Sequence, residues 1–439
     1  MNKKIPVWLA LLFLWFGFII TIFFGWAVWH IDQNNSIINE KTSEVIISVA
    51  RLPALIKQSI QEIGISKPLV APAIYPNLNG FKAEKKYIDS NYILMSSYDS
   101  NRDQSVTKLI RLSDQKTIHR WQLDYDELSK LNAPQFSFLK TASKLNLRII
   151  HPLLAKDGSI VFNCMYSPLV KINKASKLIW VINGSFHHSN EFDAAGNIWT
   201  PVDLENSTTL ACFLTQYSDD AIAQISPGGK VLFRKSIIRI LMENGYRGLL
   251  LGSGKIEKDL LHVNDIQPAL TASHYWAKDD LLISLRHRSC VFLYRPSTNK
   301  ILWLKTGPWI NQHDVDFIDS TRISFFGNNM IRTGYGEKLI DGHNEQYVYD
   351  FKTDKVETPY SAFMKKAKIG TLSEGRSDIL PNGDLFIEET NNNRLLRGNK
   401  KDILWQYVDQ IDKNHVAALS WSRFITKEEF KKLTFLKKN

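Results

Sequence analysis

A short phrase recurs along most of this sequence: a glycine-containing turn followed by a run of β-branched or aromatic residues. Examples of this phrase are residues 156–162, 195–199, 227–233 and 381–387. A second phrase, a turn followed by apolar residues and tryptophan, alternates with the first and ends at Trp180, Trp303 and Trp405. Tight turns that alternate with short strands predict an all-β structure built from one repeated supersecondary unit.

The length of the repeat favours a β-propeller. About 350 residues shared among six units would give about 58 residues each, near the length of a long propeller blade. Radial repetition also disposes of exposed sheet edges, and the period argues against an array of β-sandwiches. We therefore predict an all-β fold in which a six-bladed β-propeller over residues 80–439 follows a transmembrane helix and a short, partly helical linker.

The N-terminus carries an uncharged apolar run, residues 5–29, that is long enough to cross the hydrocarbon core of a bilayer. A cleaved signal peptide is the alternative, but the run is longer than a usual signal-peptide core. In addition, no small-x-small cleavage site follows it. We predict an uncleaved membrane anchor over residues 1–30.

The residues that flank the apolar run predict its orientation. Trp26 and Trp29 lie where an interfacial aromatic belt would be. Lys3 and Lys4 precede the run and predict a cytoplasmic N-terminus. The chain should therefore cross the inner (cytoplasmic) membrane once, with the propeller in the periplasm or outside the cell.

Residues 31–79 are predicted to link the anchor to the propeller. Apolar positions within residues 42–64 recur at nearly helical spacing, and Pro53 interrupts that pattern. Residues 67–80 contain three prolines and should form an extended connector. The linker is therefore expected to be partly helical.

Charge and cysteine content disfavour two classes of function. The net charge of +11 is spread along the chain and accompanies no nucleic-acid recognition motif, so no nucleic-acid partner is predicted. Cys164, Cys212 and Cys290 are widely spaced, and no C-x-x-C motif occurs. Buried, inert thiols are expected rather than a redox or cysteine–zinc site.

Four polar segments interrupt the apolar strands. They are residues 186–191, 261–265, 283–289 and 311–316. His188 and His262 are separated by 74 residues, and His262 and His313 by 51, each interval close to one blade. Since equivalent positions on the innermost strands of a propeller face the central channel, the three histidines should converge there, joined by Arg286 or Arg288.

Three imidazoles and a guanidinium can either ligate a metal or hold an oxyanion. The guanidinium disfavours a cation and favours sulfate or phosphate groups, which accept its paired hydrogen bonds. Neutral imidazole is also a nucleophile that forms covalent intermediates, a role open to His313.

These motifs together resemble the bacterial arylsulfotransferase family. The resemblance covers about residues 150–400 and is most specific in the Gln-His-Asp and Ser-x-Arg segments. The motifs are His187-His188 followed by Gly196-Asn197, His262-x-Asn264, Ser284-x-Arg286, Lys300-x-x-Trp303, Gln312-His313-Asp314 and Phe326-Gly327-Asn328. Members are six-bladed propellers that act outside the cytoplasm and move a sulfuryl group from an aryl sulfate donor to a phenolic acceptor.

The resemblance implies a ping-pong reaction through a sulfated histidine, with no nucleotide sulfate donor, no cofactor and no metal. His313 would be the sulfated nucleophile, and His262, Arg286 and His188 or His187 would bind the sulfuryl oxygens. The residues that it adds as substrate contacts are His187, Asn264, Arg288 and Asn328.

Two details of this site follow from strand geometry. Successive strand residues point to opposite faces, so only one imidazole of the adjacent pair should enter the channel, and we favour His188 over His187. By the same rule Asp314 points away from His313, and a backbone carbonyl is expected to orient the His313 ring.

The chain departs from the family in three ways. The segment after the anchor is short and helical rather than a β-rich domain, no close cysteine pair is available, and Phe326-Gly327-Asn328 replaces a usual Phe-Asp-Asn. These departures leave open whether the chain forms a homodimer and which sulfate ester and phenol it uses.

Two other functions fit the same sequence. A membrane-tethered propeller could bind or scaffold without catalysis. A metal-dependent hydrolase on the same fold would need several channel-facing carboxylates, for which Asp265, Asp314 and Asp316 are available.

Overall fold

The computed structural model describes residues 6–32, 38–39, 41–43, 45–50, 52–53, 69–84, 87–125, 147–204, 207, 209–210, 217–254, 258–333 and 336–436. The chain divides into two compact units, residues 1–66 and 67–439. Lys3, Lys4 and Cys212, which the sequence analysis used, lie outside the described residues.

The first unit contains helix α1, Val7–Asp32, whose large apolar side chains are exposed on all sides. At 1.5 Å per residue, a helix of 26 residues exceeds the roughly 30 Å hydrocarbon core of a bilayer. Among the described residues it is the single helix long and apolar enough to cross a membrane, a property that a signal sequence shares. Residues 41–43, 45–50 and 52–53 are also helical, and residues 54–68 are outside the described residues.

The second unit consists mainly of short strands. In the described part of the chain they are β1 (Val70–Pro72), β2 (Gly80–Ala83), β3 (Tyr92–Asp99), β4 (Gln104–Arg111), β5 (Lys116–Trp121), β6 (Ile150–Leu154), β7 (Ile160–Asn163), β8 (Ser167–Ile172), β9 (Leu178–Phe186), β10 (Glu191–Phe192), β11 (Ile198–Asp203), β12 (Asp220–Ile225), β13 (Val231–Ser236), β14 (Val263–Pro268), β15 (Leu281–Leu285), β16 (Cys290–Arg295), β17 (Lys300–Thr306), β18 (Gln312–Phe317), β19 (Arg322–Gly327), β20 (Met330–Thr333), β21 (Gly336–Leu339), β22 (Glu345–Asp350), β23 (Lys355–Glu357), β24 (Arg376–Ile379), β25 (Leu385–Glu389), β26 (Arg394–Gly398), β27 (Ile403–Val408), β28 (His415–Ala417) and β29 (Arg423–Ile425).

The helices of this unit are short and lie between strands. They are α2 (Ile237–Glu243), α3 (Arg247–Leu251), α4 (Ser361–Lys366) and α5 (Lys427–Lys431), with 3₁₀ turns at Arg286–Arg288 and Thr390–Asn392. Ser236 caps α2, because its side chain accepts a hydrogen bond from the Arg239 N–H. Thr426 and Glu429 form a capping box at the start of α5.

The strands form antiparallel sheets of two to eight strands. The four-stranded sheets have the orders β14-β15-β16-β17, β18-β19-β22-β23 and β29-β3-β4-β5, and a five-stranded sheet has the order β2-β27-β26-β25-β24. An eight-stranded sheet contains β6 to β9 and β10 to β13, and two further pairs are β1-β28 and β20-β21. The predicted all-β, propeller-like fold is confirmed, although hydrogen bonding does not divide it into six separate sheets.

The chain ends close the structure through three strand pairings. β29 pairs with β3, β28 with β1 and β27 with β2, so strands from both ends of the second unit share sheets. Residues 70–72, which the sequence analysis placed in the linker, therefore form the strand β1 that pairs with β28. Buried apolar side chains fill the space between neighbouring sheets, for example Trp199 of β11 with Ile266 of β14 and Ile283 of β15.

Residues with a left-handed backbone precede the first strand of five sheets. The residues are His188 (φ 54°), His262 (φ 54°), Asn311 (φ 54°), Glu374 (φ 56°) and Trp421 (φ 56°). Each lies one to three positions before β10, β14, β18, β24 or β29. This backbone conformation is uncommon for non-glycine residues and, where the surroundings enforce it, often marks a functional site.

Glu388 stabilises the left-handed turn at Trp421. Its carboxylate is completely buried and accepts hydrogen bonds from the N–H groups of Trp421 (2.7 Å) and Ser422 (2.6 Å) and from the Thr390 hydroxyl (3.0 Å). Glu388 thereby ties β25 to the segment that leads into the closing strand β29.

We predict that Glu388→Ala lowers the free energy of unfolding by about 2 to 4 kcal/mol, because two buried N–H groups lose their acceptor. Glu388→Gln keeps one acceptor oxygen and should cost clearly less. Urea unfolding of the detergent-purified chain measures both variants. Equal stability of Glu388→Ala and the wild type would show that the closure does not depend on these bonds.

Candidate active site

Three of the predicted histidines lie just before, or at the beginning of, a strand at the edge of its sheet. His188 comes three residues before β10, His262 directly precedes β14, and His313 is the second residue of β18. β14 packs against both β10 and β18, which brings the three turns together. Arg286 follows β15, and its N–H donates to the His262 carbonyl oxygen at 3.0 Å.

The imidazoles form one cluster. The His188 and His262 ring centroids are 4.9 Å apart, and the rings of His188 and His313 each lie 6.0 Å from the Trp421 ring. Burial, and then the charge of His262, lowers the pKa of His188 well below its ordinary value. Burial, and then the charges of Arg286 and His262, does the same to the pKa of His313. Both imidazoles are therefore neutral at neutral pH.

One hydrogen bond determines which nitrogen of His313 carries the proton. His313 Nδ1 lies 2.6 Å from Asn328 Oδ1. Asn328 Nδ2 donates to the carbonyl oxygens of Thr371 (3.1 Å) and Glu374 (2.8 Å). The opposite orientation of the amide would place Oδ1 against these two carbonyl oxygens, and none of the three oxygens could donate a hydrogen bond. Asn328 Oδ1 must therefore accept a hydrogen bond from the protonated Nδ1, and the His313 lone pair is on Nε2.

The orienting group of His313 is therefore the Asn328 side chain, and the prediction of a backbone carbonyl is wrong. Asp314, as expected, faces elsewhere: its Oδ2 accepts from the Ser377 N–H at 2.6 Å, and its Oδ1 lies 3.4 Å from Arg376 Nε. Asn328 was predicted to contact substrate, whereas its amide is fully engaged by His313 and the two carbonyl groups.

A carboxylate orients His262. Asp259 Oδ2 accepts from His262 Nδ1 at 2.6 Å, and the Asp259 carbonyl oxygen accepts from His287 Nδ1 at 2.9 Å. Burial acts to raise the pKa of Asp259, but the hydrogen bond with His262 and the charges of the neighbouring histidines together outweigh it, and the pKa lies below its usual value. Asp259 is ionised, so His262 Nδ1 keeps its proton and Nε2 is the nitrogen that can exchange one.

Arg286 brings an unneutralised cation to the cluster. Its side chain is 9% exposed, and Nη1 donates to His287 Nε2 at 2.8 Å. Within the described ranges no carboxylate lies at ion-pairing distance from this guanidinium, and its Nε has no hydrogen-bond partner. A buried guanidinium with free donors, set among neutral imidazoles, is suited to an anion.

Both members of the adjacent histidine pair are buried, and His188, the member favoured from the sequence, is the one whose ring meets His262. Their Nδ1 atoms are 2.7 Å apart. The two residues lie outside a regular strand, because β9 has ended at Phe186 and His188 has φ 54°. His187 lies behind His188, with its ring 5.0 Å from the Tyr166 ring.

The other two predicted substrate contacts are engaged elsewhere. Asn264 is fully buried and donates from Nδ2 to the Gln312 carbonyl oxygen at 2.8 Å, which links β14 to β18. Arg288 donates from Nη2 to the Leu250 carbonyl oxygen of α3 at 3.3 Å. Neither contact places the side chain in the histidine cluster.

Two of the three carboxylates proposed for a metal hydrolase, Asp265 and Asp314, accept hydrogen bonds from the protein itself, whereas Asp316 Oδ2 is buried without a hydrogen-bond partner among the described residues. Asp265 accepts from the N–H groups of Ile266 (2.8 Å) and Val315 (2.7 Å), and burial raises its pKa to about 7. Burial also raises the pKa values of Asp314 and Asp316 well above the ordinary value. In the part of the chain that the structure describes, two trios could hold a metal, Asp259–His262–His287 and His187–Asp203–Asp220, and neither includes these three carboxylates.

Sequence reasoning missed three residues of the cluster. Asp259 could have been recognised, because an acidic residue three positions before a histidine can reach its ring across a turn. His287 lies within a segment that was singled out, but its role depends on the 3₁₀ turn at Arg286–Arg288. Trp421 comes from the closing segment, and nothing in its local sequence distinguishes it from a core tryptophan.

Solved structures share only distant similarity with this chain. A protein of unknown function from Bacteroides caccae is 12% identical, with a TM-score of 0.47 over 76% of this chain and 99% of that one. TolB from Acinetobacter baumannii is 9% identical, with a TM-score of 0.45 over 78% and 69%. Virginiamycin B lyase from Staphylococcus aureus is 11% identical, with a TM-score of 0.39 over 77% and 99%. TM-scores below 0.5 support no inference about this chain.

The family model gives a specific result. No curated protein matches the chain. The model of the arylsulfotransferase (ASST) family matches residues 151–410, which is more than half of the chain and includes His188, His262, Arg286 and His313. This protein belongs to the arylsulfotransferase family.

Proposed function

We propose that this chain is a membrane-anchored arylsulfotransferase that moves a sulfuryl group from an aryl sulfate to a phenol through a sulfohistidine at His313. Family membership supports sulfotransferase chemistry in general. The observation that carries the specific proposal is the pairing of a fixed, neutral His313 Nε2 with the unneutralised Arg286 in one buried cluster.

We also infer a six-bladed propeller. β9 and β11 share only two residue pairs, Phe186 with Val202 and Ser185 with Asp203, so the eight-stranded sheet divides readily into two four-stranded units. The tryptophan phrases support this division, since Trp180, Trp303 and Trp405 all lie in the fourth strand of such a unit.

The first half-reaction sulfates the enzyme. His313 Nε2 attacks the sulfur of the donor, the N–S bond forms, and the bond between sulfur and the aryl oxygen breaks. Arg286 and His188 stabilise the negative charge on the sulfuryl oxygens. A protonated His262, held by Asp259, gives its Nε2 proton to the departing phenolate.

The second half-reaction reverses these roles with a different phenol. His262 Nε2 takes the proton of the acceptor hydroxyl, and the acceptor oxygen attacks sulfur. The N–S bond breaks, and the electron pair returns to His313 Nε2. The enzyme regains its starting protonation, so no cofactor and no external base are consumed.

The anchor is part of the same proposal. α1 is long and apolar enough to span the inner membrane, and we infer that it stays attached and holds the catalytic unit in the periplasm or outside the cell. Sulfated and free phenols would then be drawn from outside the cytoplasm.

We predict that His313→Ala abolishes both phenol release from a chromogenic aryl sulfate and the sulfuryl mass adduct seen with donor alone. In the wild type, continuous release of phenol should require the acceptor. His274→Ala, at an exposed histidine, is the matched control and should retain activity. A folded wild type that neither turns over nor gains the adduct would indicate a binding-only propeller, and chelator-sensitive release without acceptor would indicate a hydrolase.

Arg286→Gln should lower kcat/KM for the donor by about 10² to 10³, the usual effect of removing one donor to a developing oxyanion. Arg286→Lys keeps the charge but loses the paired geometry, and we expect an intermediate loss. Steady-state kinetics with saturating acceptor measures both. A loss below threefold in Arg286→Gln would remove Arg286 from the sulfuryl site.

The pH profile tests the neutral state of His313. Since burial, Arg286 and His262 lower its pKa, His313 stays unprotonated at a more acid pH than an ordinary imidazole. We predict that kcat/KM for the donor does not fall between pH 7.5 and about 6, whereas an imidazole with the ordinary pKa of about 6.5 would cause a decline over this range. An acid limb centred near 6.5 would contradict this assignment.

A further inference from the structure

Two carboxylates face each other beside the histidine cluster. Asp203 ends β11, Asp220 begins β12, and the two are direct partners in the sheet register. Like charges directly opposite on neighbouring strands are destabilising. The pair therefore requires a shared proton or a bound cation.

Two buried polar atoms at this pair have no hydrogen-bond partner among the described residues. His187 is 1% exposed, and its Nε2 atom is buried. This nitrogen lies 3.3 Å from Asp220 Oδ1, but the two groups are not aligned as a hydrogen bond. Asp203 Oδ1 is also buried with no hydrogen-bond partner among the described residues. The second oxygen of Asp220 is already taken by the Val263 N–H at 2.9 Å, which leaves Oδ1 directed toward the other two atoms.

We propose that His187 Nε2, Asp203 and Asp220 Oδ1 bind a divalent transition-metal ion, with zinc as the best fit. Their ligand atoms all lie within 4.8 Å of one another. In a tetrahedral site with bonds of about 2.0 to 2.1 Å, neighbouring ligand atoms are about 3.3 Å apart, which matches the distance from His187 to Asp220. One imidazole and two carboxylates suit zinc, whereas calcium and magnesium prefer oxygen ligands alone.

An imidazolium at His187 explains the geometry less well. A second ring proton would point at Asp220 in a well-aligned hydrogen bond, but the 3.3 Å contact lacks that alignment. Such a cation would also leave Asp203 Oδ1 buried without a hydrogen-bond partner among the described residues.

The neighbouring trio Asp259–His262–His287 is a weaker candidate. His262 Nδ1 is bonded to Asp259, and His287 uses both nitrogens, one toward the Asp259 carbonyl oxygen and one toward Arg286. A metal there would have to displace these bonds and would lie close to a guanidinium.

The ion would have a consequence for His188, and this step rests on the proposed function. Metal on His187 Nε2 leaves the proton on His187 Nδ1, which must then donate to His188 Nδ1 across the 2.7 Å contact. The proton of neutral His188 is then on Nε2. His188 would thus offer a hydrogen-bond donor to sulfuryl oxygens, with His187 acting as a positioning residue.

The test measures metal directly. The full chain, purified in detergent, is first treated with a chelator and then loaded with zinc and desalted. Inductively coupled plasma mass spectrometry measures the zinc content, and a zinc titration measures the affinity. We expect about one zinc per chain, and at least tenfold weaker binding in Asp203→Asn and in His187→Gln. Asp316→Asn, at a half-buried carboxylate outside the trio, is the matched control and should bind zinc like the wild type. Circular dichroism establishes that each variant is folded.

Two results would overturn the proposal. The first is no zinc retained by the folded wild type above the level of Asp203→Asn. The second is zinc retained by Asp203→Asn but lost in His287→Gln, which would assign the ion to the neighbouring trio. His313→Ala should bind zinc normally, so a failure of the metal site and a failure of sulfuryl transfer are separate outcomes.

Discussion

The closure of the sheets by the two ends of the second unit is the constraint on which the site depends. β27, β28 and β29 pair with β2, β1 and β3, so separating the ends would open the structure along one side. The same closing segment delivers Trp421 against His188 and His313. Glu388 fixes that turn by accepting hydrogen bonds from the Trp421 and Ser422 N–H groups. The geometry of the candidate site therefore depends on the same contacts that close the sheets.

Burial has opposite effects on the groups that it brings together. It lowers the pKa values of His188 and His313, which suits a nucleophile and a neutral hydrogen-bond donor. It cannot discharge a guanidinium, so Arg286 stays positive and further suppresses protonation of His313. In the proposed mechanism, Arg286 therefore both keeps His313 neutral and favours an anionic ligand.

The sequence was most informative where a repeat determines position. The spacing of His188, His262 and His313 was enough to predict their convergence, because equivalent positions in repeated units share an environment. The spacing does not reveal the contact between the two adjacent imidazoles, which forms because β9 ends at Phe186 and the backbone leaves the strand there. Asn328 was recognised, but its contact with His313 depends on carbonyl groups of Thr371 and Glu374, more than forty residues away, which no local pattern reveals.

The left-handed residues connect these observations. A normal strand would alternate its side chains, so one sheet could offer at most every second residue to the centre. Placing His188, His262 or Trp421 in the left-handed region ends that alternation and turns the following strand, at a conformational cost of about 1 kcal/mol or more each. Packing and hydrogen bonds such as those of Glu388 offset this cost. The left-handed turns therefore bring His188, His262 and Trp421 together, whereas His313 comes from the start of β18 and Arg286 from the 3₁₀ turn after β15.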